Sequence, residues 1–333
     1  MTSMLKRLSS RIPAIARLRS ENTVALAENA RLHGVVDQLR AEISRNQAAL
    51  QHLEEFKSYY TERIKSRFIV ELDYPYSPRA MDFSSRAGNP WEHILFARQK
   101  EFKDLLASFC DLTSSLHVIP RDETDDPQQP YWSNSWLPIL DGISIYGLLA
   151  KNNPRLYLEV GSGNSTKFAR RAIRDLRLQT KIISIDPMPR AEIDKICDEV
   201  VRSGLQDADL SLFDRLEPND VVFIDNSHRS FQNSDVTVFF TQVLPTLCSG
   251  CIYGLHDIFL PKDYPAQWAD RYYNEQYLLM MYLLGGGMKD DIVLPVAYIA
   301  DHKDLLSAID PILKSGPLTG IRPIGGAFWM KKC

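Results

Sequence analysis

This chain has no excess of basic residues: 39 Lys and Arg stand against 42 Asp and Glu, for a formal net charge of −3. Composition therefore supplies no basic excess to displace counterions from a polyanion, which argues against bulk binding of nucleic acid, although a local basic face is compatible with it. Cysteine is scarce and odd in number, and Cys110, Cys197, Cys248, Cys251 and Cys333 are the whole set. Such a count builds no disulfide framework and fits a reducing, cytoplasmic setting. Cys248 and Cys251 form a C-x-x-C, but zinc needs two more ligands and no second pair exists, so the pair reads as structural and no metal site is assigned to it. No apolar run approaches the roughly 20 residues that span a bilayer. Arg11, Arg17 and Arg19 interrupt any apolar secretory core near the N-terminus.

Residues 21–65 contain no proline and only Gly34. Within them Val36, Leu39, Ile43, Asn46, Leu50, Leu53, Lys57, Tyr60 and Ile64 follow one another at spacings of three and four. This heptad seam predicts a long helix that self-associates as a coiled coil, with Asn46 and Lys57 as polar seam positions that fix register. The alternative is an amphipathic helix lying on its own domain. Ahead of it, residues 1–20 carry Lys6, Arg7, Arg11, Arg17 and Arg19 and no acid. They read as a basic leader, either solvated or a surface helix in peripheral contact with anionic lipid; Pro13 counts against the helix.

Residues 66–130 read as a connector. Its first part, Phe68–Pro90, is broken by prolines; an apolar stripe then predicts a helix over Trp91–Leu116. The acidic, proline-rich run Arg121–Pro130 is an exposed loop that closes the connector. From Tyr131 onward, helical and apolar runs alternate. Helices are expected at Trp136–Ala150, Ser165–Leu176, near Ala208–Arg215, at Asp235–Leu247 and from about Gln267 to Leu284. Strands are expected at Leu156–Gly161, Lys181–Asp186, Glu199–Gly204, Asp220–Asp225, Cys251–His256, Pro295–Ala300 and Ala327–Lys331. That alternation predicts an α/β fold: a Rossmann-like, doubly wound, mostly parallel sheet with ligands at the carboxyl ends of its strands.

Leu156–Thr166, LYLEVGSGNST, organises the rest. A buried strand runs into Gly161, Ser162 and Gly163, and a helix opens directly after. The glycines allow positive φ and close approach of a ligand, and the helix N-terminus offers unpaired N–H groups. Glu159 lies inside the strand, where an unpaired carboxylate is costly. Asp186 closes the next strand at a distance that suits a ribose diol. The turn is not the dinucleotide G-x-G-x-x-G, because Thr166 stands at the third position.

With these residues the sequence resembles the class I S-adenosylmethionine-dependent methyltransferases, in which E-V-G-x-G is the first motif. It is most similar to a bacterial branch with D-x-S-H, H-D-I-F-x-P-x-x-Y-P and N-E-Q-Y segments, here Asp225–His228, His256–Pro265 and Asn274–Tyr277. The resemblance implies a methyltransferase domain over 131–333, a final antiparallel strand, and S-adenosylmethionine as cofactor. On the cofactor side it implies Gly161, Ser162, Gly163 and Asp186, with Glu159 holding the turn or meeting the cofactor's ammonium, Gln206 and Asp207 toward adenine and Asp225 at the end of the fourth strand.

Methyl transfer from a sulfonium needs an aligned acceptor, exclusion of water and, for a hydroxyl, removal of a proton. His228, His256 and Asp257 stand at the ends of the fourth and fifth predicted strands. Histidine near neutrality suits a general base, so His228 is the first expectation and His256 the second, with Asp257 orienting an imidazole or taking the proton. A divalent ion on Asp225 and Asp257 is a rival reading; the pattern lacks the second-strand-end pair of metal-dependent O-methyltransferases and does not favour it. Tyr264, Trp268, Tyr272 and Tyr273 suit a sugar ring or another planar acceptor. The expected activity is O-methylation of a small molecule or glycan unit. The alternative is a catalytically silent coiled-coil adaptor that keeps the fold.

Overall fold

The computed structural model describes residues 2–65, 73–81, 83, 90–189, 191–286 and 289–333. The chain divides into two units, Met1–Ser77 and Pro78–Cys333. The first holds one helix, α1 (Thr2–Lys65). The helix expected from residue 21 thus begins at Thr2 and runs through Pro13. A proline removes one i→i−4 bond, and the strong helix formers Ala14, Ala16, Arg17 and Leu18 continue the helix beyond it. Val36, Leu39, Ile43, Leu50, Leu53 and Ile64 are each between 43% and 62% exposed, so the seam is uncovered. The side chains of Lys6, Arg7 and Arg11, and most of the connector expected over Phe68–Pro90, lie outside the described residues. Among the described residues no helix is long and apolar enough to cross a membrane.

The second unit is built on seven strands: β1 (Leu156–Val160), β2 (Lys181–Ile185), β3 (Glu199–Val201), β4 (Val221–Ile224), β5 (Ile252–Leu255), β6 (Asp291–Pro295) and β7 (Phe328–Lys331). Their order in the sheet is β3-β2-β1-β4-β5-β7-β6. Strands β1 to β5 are parallel, and β7 is antiparallel to both its neighbours. The central strands LYLEV and VVFI are buried along their whole length, the pattern of a parallel sheet covered on both faces. Chain direction through the sheet reverses between β1 and β4, and such a switch point opens a crevice at the strands' carboxyl ends.

The α-helices of this unit are α2 (Pro90–Phe96), α3 (Gln99–Ser108), α4 (Thr113–His117), α5 (Ile139–Asn152), α6 (Asn164–Leu176), α7 (Asp235–Val238), α8 (Glu275–Leu284), α9 (Val296–Asp301), α10 (Lys303–Leu306) and α11 (Asp310–Leu313) among the described residues. Helices α5 and α6 pack together, with Phe168 of α6 against Gly142 of α5.

Five segments differ from the sequence reading. The helix expected near Ala208–Arg215 is a 3₁₀ turn, Leu210–Arg215. The helix expected over Trp91–Leu116 is split by a turn at Ala97–Arg98 and by a 3₁₀ turn, Phe109–Leu112. The strand expected over Pro295–Ala300 is helix α9. Pro295 has no N–H for the ladder, so the strand stops there, and Val296, Tyr298 and Ile299 are buried from a helix instead. The helix expected over Asp235–Leu247 is α only to Val238, then a π turn and a 3₁₀ turn. The helix expected from Gln267 is a 3₁₀ turn, Ala266–Arg271, ended by Tyr272 at φ 53°, and α8 begins only at Glu275. The break has a cause: Asn274 N–H donates to the His228 carbonyl at 2.9 Å, and the Asn274 side-chain oxygen accepts from Ser230 N–H at 2.6 Å.

Gly254 on β5 pairs with Trp329 on β7. A Cβ at Gly254 would lie 2.5 Å from the Trp329 ring, which stacks on Phe223 and donates to Ser144 Oγ. Gly254→Ala is expected to cost about 1–3 kcal/mol by overpacking, read from the midpoint of denaturant unfolding. An unchanged midpoint would show that the Trp329 stack yields freely.

Candidate functional site

β1 runs straight into the turn. Gly161 takes φ 80°, and a Cβ there would lie 1.7 Å from the Asp225 carbonyl oxygen, so only glycine lets the ends of β1 and β4 come this close. Around Gly163 the same construction meets nothing within 4 Å. Gly163 N–H donates to Thr166 Oγ1 at 3.0 Å, and Thr166 Oγ1 donates to Glu159 Oε2. The hydroxyl at the would-be third glycine thus ties the turn to the strand beneath it.

Glu159 is fully buried, and Tyr157 donates to its other oxygen at 2.9 Å. It does not line the cavity described below. It lies beneath the turn and is tied to it through Thr166, the first of the two places expected for it. Burial pushes its carboxyl up to about 7, against the pull of hydrogen bonds from Ser165, Thr166 and Tyr157.

Asp186 follows β2. Its two oxygens accept from Ser162 N–H and Met188 N–H, each at 2.7 Å. A cavity of about 550 Å³ opens above these strand ends, within the size range of small-molecule sites. Gly161, Ser162, Gly163, Asp186, Gln206 and Asp225 all line it. Asp207 does not; its carboxylate accepts from Gln206 Nε2 at 3.0 Å outside the lining.

The sequence reading missed Lys167, Tyr131 and Trp136, which also line the cavity. Lys167 is 8% exposed and sits in the first turns of α6, against the helix dipole. Among the described residues no acid lies within 4.0 Å of its ammonium. Burial lowers its pKa, while the fields of Glu123, Asp126 and Glu192 oppose that shift.

Asp225 lies at the cavity wall with a buried charge array behind it. His256 Nδ1 stands 3.2 Å and His228 Nε2 3.3 Å from Asp225 Oδ1. Both imidazoles meet the same oxygen, and among the described residues Oδ2 has no hydrogen-bond partner. The other nitrogens are also engaged: His228 Nδ1 with Glu275 Oε2 at 2.9 Å and His256 Nε2 with Asp141 Oδ2 at 3.1 Å. Asp257, at φ 56°, reaches His228 at 3.4 Å and His256 at 3.6 Å. Asp141 is held in turn by the N–H groups of Gly326 and Ala327.

Burial disfavours charge on both histidines, but the carboxylates outweigh it. Hydrogen bonds to Asp225 and Glu275 raise His228 to about 10, and Asp225, Asp257 and Asp141 raise His256 well above its usual range. Burial likewise pushes Asp225 up, yet the two imidazoles hold it well below the usual carboxylate range. An imidazolium with carboxylates on both nitrogens has no lone pair to offer. His228 and His256, expected as general bases, stand behind Asp225 with both nitrogens of each facing carboxylates, and neither lines the cavity. Asp257 bridges them. Among the described residues no group of three or more His, Cys, Asp or Glu is arranged to hold a metal ion.

Residues 158–258 match a protein-family model described as a methyltransferase domain. This segment is similar to a methyltransferase domain. The match runs from β1 to just beyond β5 and so contains the glycine turn, Asp186, Asp225, His228 and His256. Comparison with the curated proteins finds no match.

Among solved structures, the chain is similar to an O-methyltransferase from Bacillus cereus in complex with SAH. That likeness has 16% identity, covers 68% of this chain and 89% of that one, and has a TM-score of 0.35. An SAH-bound methyltransferase from Podospora anserina is similar at 14% identity, covering 79% and 100%, with a TM-score of 0.38. A plantazolicin methyltransferase in complex with a monoazolic desmethylPZN analogue and SAH is similar at 14%, covering 72% and 98%, with a TM-score of 0.37.

The ionised His228 contributes stability that is fully present below its unfolded pKa near 6.5 and is lost as pH rises through about 10. His228→Gln leaves Glu275 buried without its cation, so it is expected to be less stable than wild type by on the order of 3 kcal/mol at neutral pH. The gap should narrow between pH 6.5 and pH 10. Denaturant unfolding of both proteins across that range checks this; a gap independent of pH would remove the charge from His228.

Proposed function

We propose that the protein transfers a methyl group from S-adenosylmethionine to an oxygen of a small molecule or glycan unit. The observation that carries this reading is that Gly161–Gly163, Asp186, Gln206 and Asp225, from four different loops, line one cavity. The residues present fit the cofactor. The space at Gly163 admits a ligand against the backbone. Asp186 spends one lone pair of each oxygen on the backbone, and its remaining pairs suit two ribose hydroxyls. Gln206 suits the adenine edge. The Lys167 ammonium suits a carboxylate, which would relieve a buried cation set against its helix dipole.

Bound there, the cofactor supplies a methyl group already activated by its sulfonium charge. Asp225 Oδ2 accepts a hydrogen bond from the acceptor hydroxyl and so aims its oxygen. A carboxylate held this acidic is a weak base toward a neutral alcohol. It suffices once the C–O bond has begun to form and the proton has become strongly acidic, when the proton passes to Oδ2. His228 and His256 keep Oδ1 fixed throughout, and the turn and Trp136 screen the cavity from water.

We further infer that α1 pairs with a second copy of itself. Its apolar seam is uncovered within one chain, and a heptad spacing with Asn46 and Lys57 in the seam suits a partner of identical register.

Calorimetry with S-adenosylhomocysteine tests the first reading. Wild type is expected to bind, and Gly163→Phe, which fills the open space, is expected to lose binding while remaining folded by circular dichroism. No heat with folded wild type would overturn the reading. Deleting residues 1–65 should lower the number of chains per particle by light scattering and leave the second unit folded, since the described buried core lies in that unit. An unchanged number of chains would overturn self-association through α1.

A further inference from the structure

The loop after β4 is bound tightly to the segment that precedes α8. Besides the two Asn274 contacts, Arg229 Nε donates to the Arg271 carbonyl at 2.8 Å and Arg229 Nη1 to the Ser227 carbonyl at 3.2 Å. Both guanidiniums lie over one ring: Arg229 Cζ is 4.9 Å and Arg271 Cζ 5.5 Å from the Tyr273 centroid. Arg271 also covers Trp268 at 4.2 Å. Trp268 and Tyr273 meet edge to face, with centroids 5.8 Å apart.

Neither arginine has a carboxylate within 4.0 Å among the described residues. Elsewhere in this unit Arg98, Arg155, Arg170, Arg171, Arg202 and Arg215 each face an acid. In the loop, Asp235 accepts from Ser227 N–H and Oγ. Two like charges held on one aromatic platform repel each other until an anion joins them. Stacking also fixes the planes of both forks, so little rotamer freedom is lost when they bind. Their place in the chain is on the acceptor side. Ser227, whose carbonyl holds Arg229, lines the cavity with Asp225, and the loop before it carries the proposed proton acceptor.

We propose that Arg229 and Arg271 form an oxyanion-binding subsite, so that the methyl acceptor is a negatively charged molecule carrying a phosphate or carboxylate group. This rests on the methyl-transfer reading above. Guanidinium forks match both oxyanions, and charge-assisted hydrogen bonds to them are the strong class. Anchoring the acceptor by a remote anion would align its hydroxyl with Asp225 Oδ2 and convert that binding into orientation.

The test is calorimetry at low ionic strength on the full chain, with S-adenosylhomocysteine bound, using inorganic phosphate, glucose 1-phosphate, glucuronate and glucose as probes. Wild type is expected to bind at least one of the anions more tightly than glucose by on the order of tenfold. Glucose 1-phosphate against glucuronate separates phosphate from carboxylate as the group taken. The pair of changes Arg229→Gln and Arg271→Gln should remove that preference, and Arg229→Lys, which keeps the charge and loses the fork, should weaken it. The affinity for S-adenosylhomocysteine should be the same in all of them. No heat with any anion, or an anion affinity unmoved by the double change, overturns the subsite. Loss of S-adenosylhomocysteine binding in wild type would instead count against the methyl-transfer reading, so the two failures are distinct.

Discussion

The rim of the sheet depends on how closely β1 and β4 finish beside each other. Asp225 N–H donates to the Val160 carbonyl at 2.8 Å, and the Gly161 backbone passes so near the Asp225 carbonyl that a methyl group between them is impossible. From that contact the chain leaves in two directions. On one side the glycine turn enters α6; on the other, Asp225 enters the loop that carries His228 and Arg229. The cavity is the space left between two chains that separate from a shared point, which is why residues from both line it. A wider join would move Ser162 away from Asp186 and Asp225 away from the turn together.

Two carboxylates at this join shift in opposite directions. Glu159 lies under the turn among neutral hydroxyls, which partly offset its burial and leave it near 7. Asp225 lies beside two imidazoles, and their charge outweighs its burial. The residue type is nearly the same, and only the partners differ. One acid serves as a hydrogen-bonded strut; the other is held as an anion facing the cavity. The chemistry proposed for Asp225 follows from this difference, since a fixed anion aims a hydroxyl better than it deprotonates one.

The parallel strands, their order of appearance and the glycine turn were legible, because each depends on local features: a continuous β-branched run, a glycine pair, an acid at a strand end. Strand-end position also drew attention to Asp186, Asp225, His228 and His256. What those side chains touch was not legible. Glu275 lies 47 residues from His228, and Asp141 lies 115 from His256, so no local pattern announces that both imidazoles are occupied. An imidazole read alone looks like a base, and only its second partner makes it a cation. Lys167 was missed for a similar reason: within NSTKFARR it looks like an ordinary surface position, and only the loops of other strands bury it. The strand misread over Pro295–Ala300 failed differently, because β-branched and aromatic residues fill a half-buried helix as readily as a strand.

The array behind Asp225 is a poor device for stability alone. Desolvating four carboxylates and two imidazoles costs about as much as their attraction returns, and apolar residues of similar volume would often serve a core as well. Its geometry points to another role. Asp141 comes from α5 and is held by the N–H groups that lead into β7; Asp225 follows β4, His256 and Asp257 follow β5, and Glu275 opens α8. Four separate elements and the entry to β7 thus converge on the orientation of one oxygen, Asp225 Oδ1, and leave Oδ2 in a single direction. A site within about 0.5 Å of its working geometry needs supports of this kind, and they are best anchored in strands and helices rather than loops. The start of α8 enters the same network, because Asn274 and Glu275 join it to the loop after β4. Asp225 and the start of α8 therefore share one frame, and a displacement of either is resisted by the same buried charges.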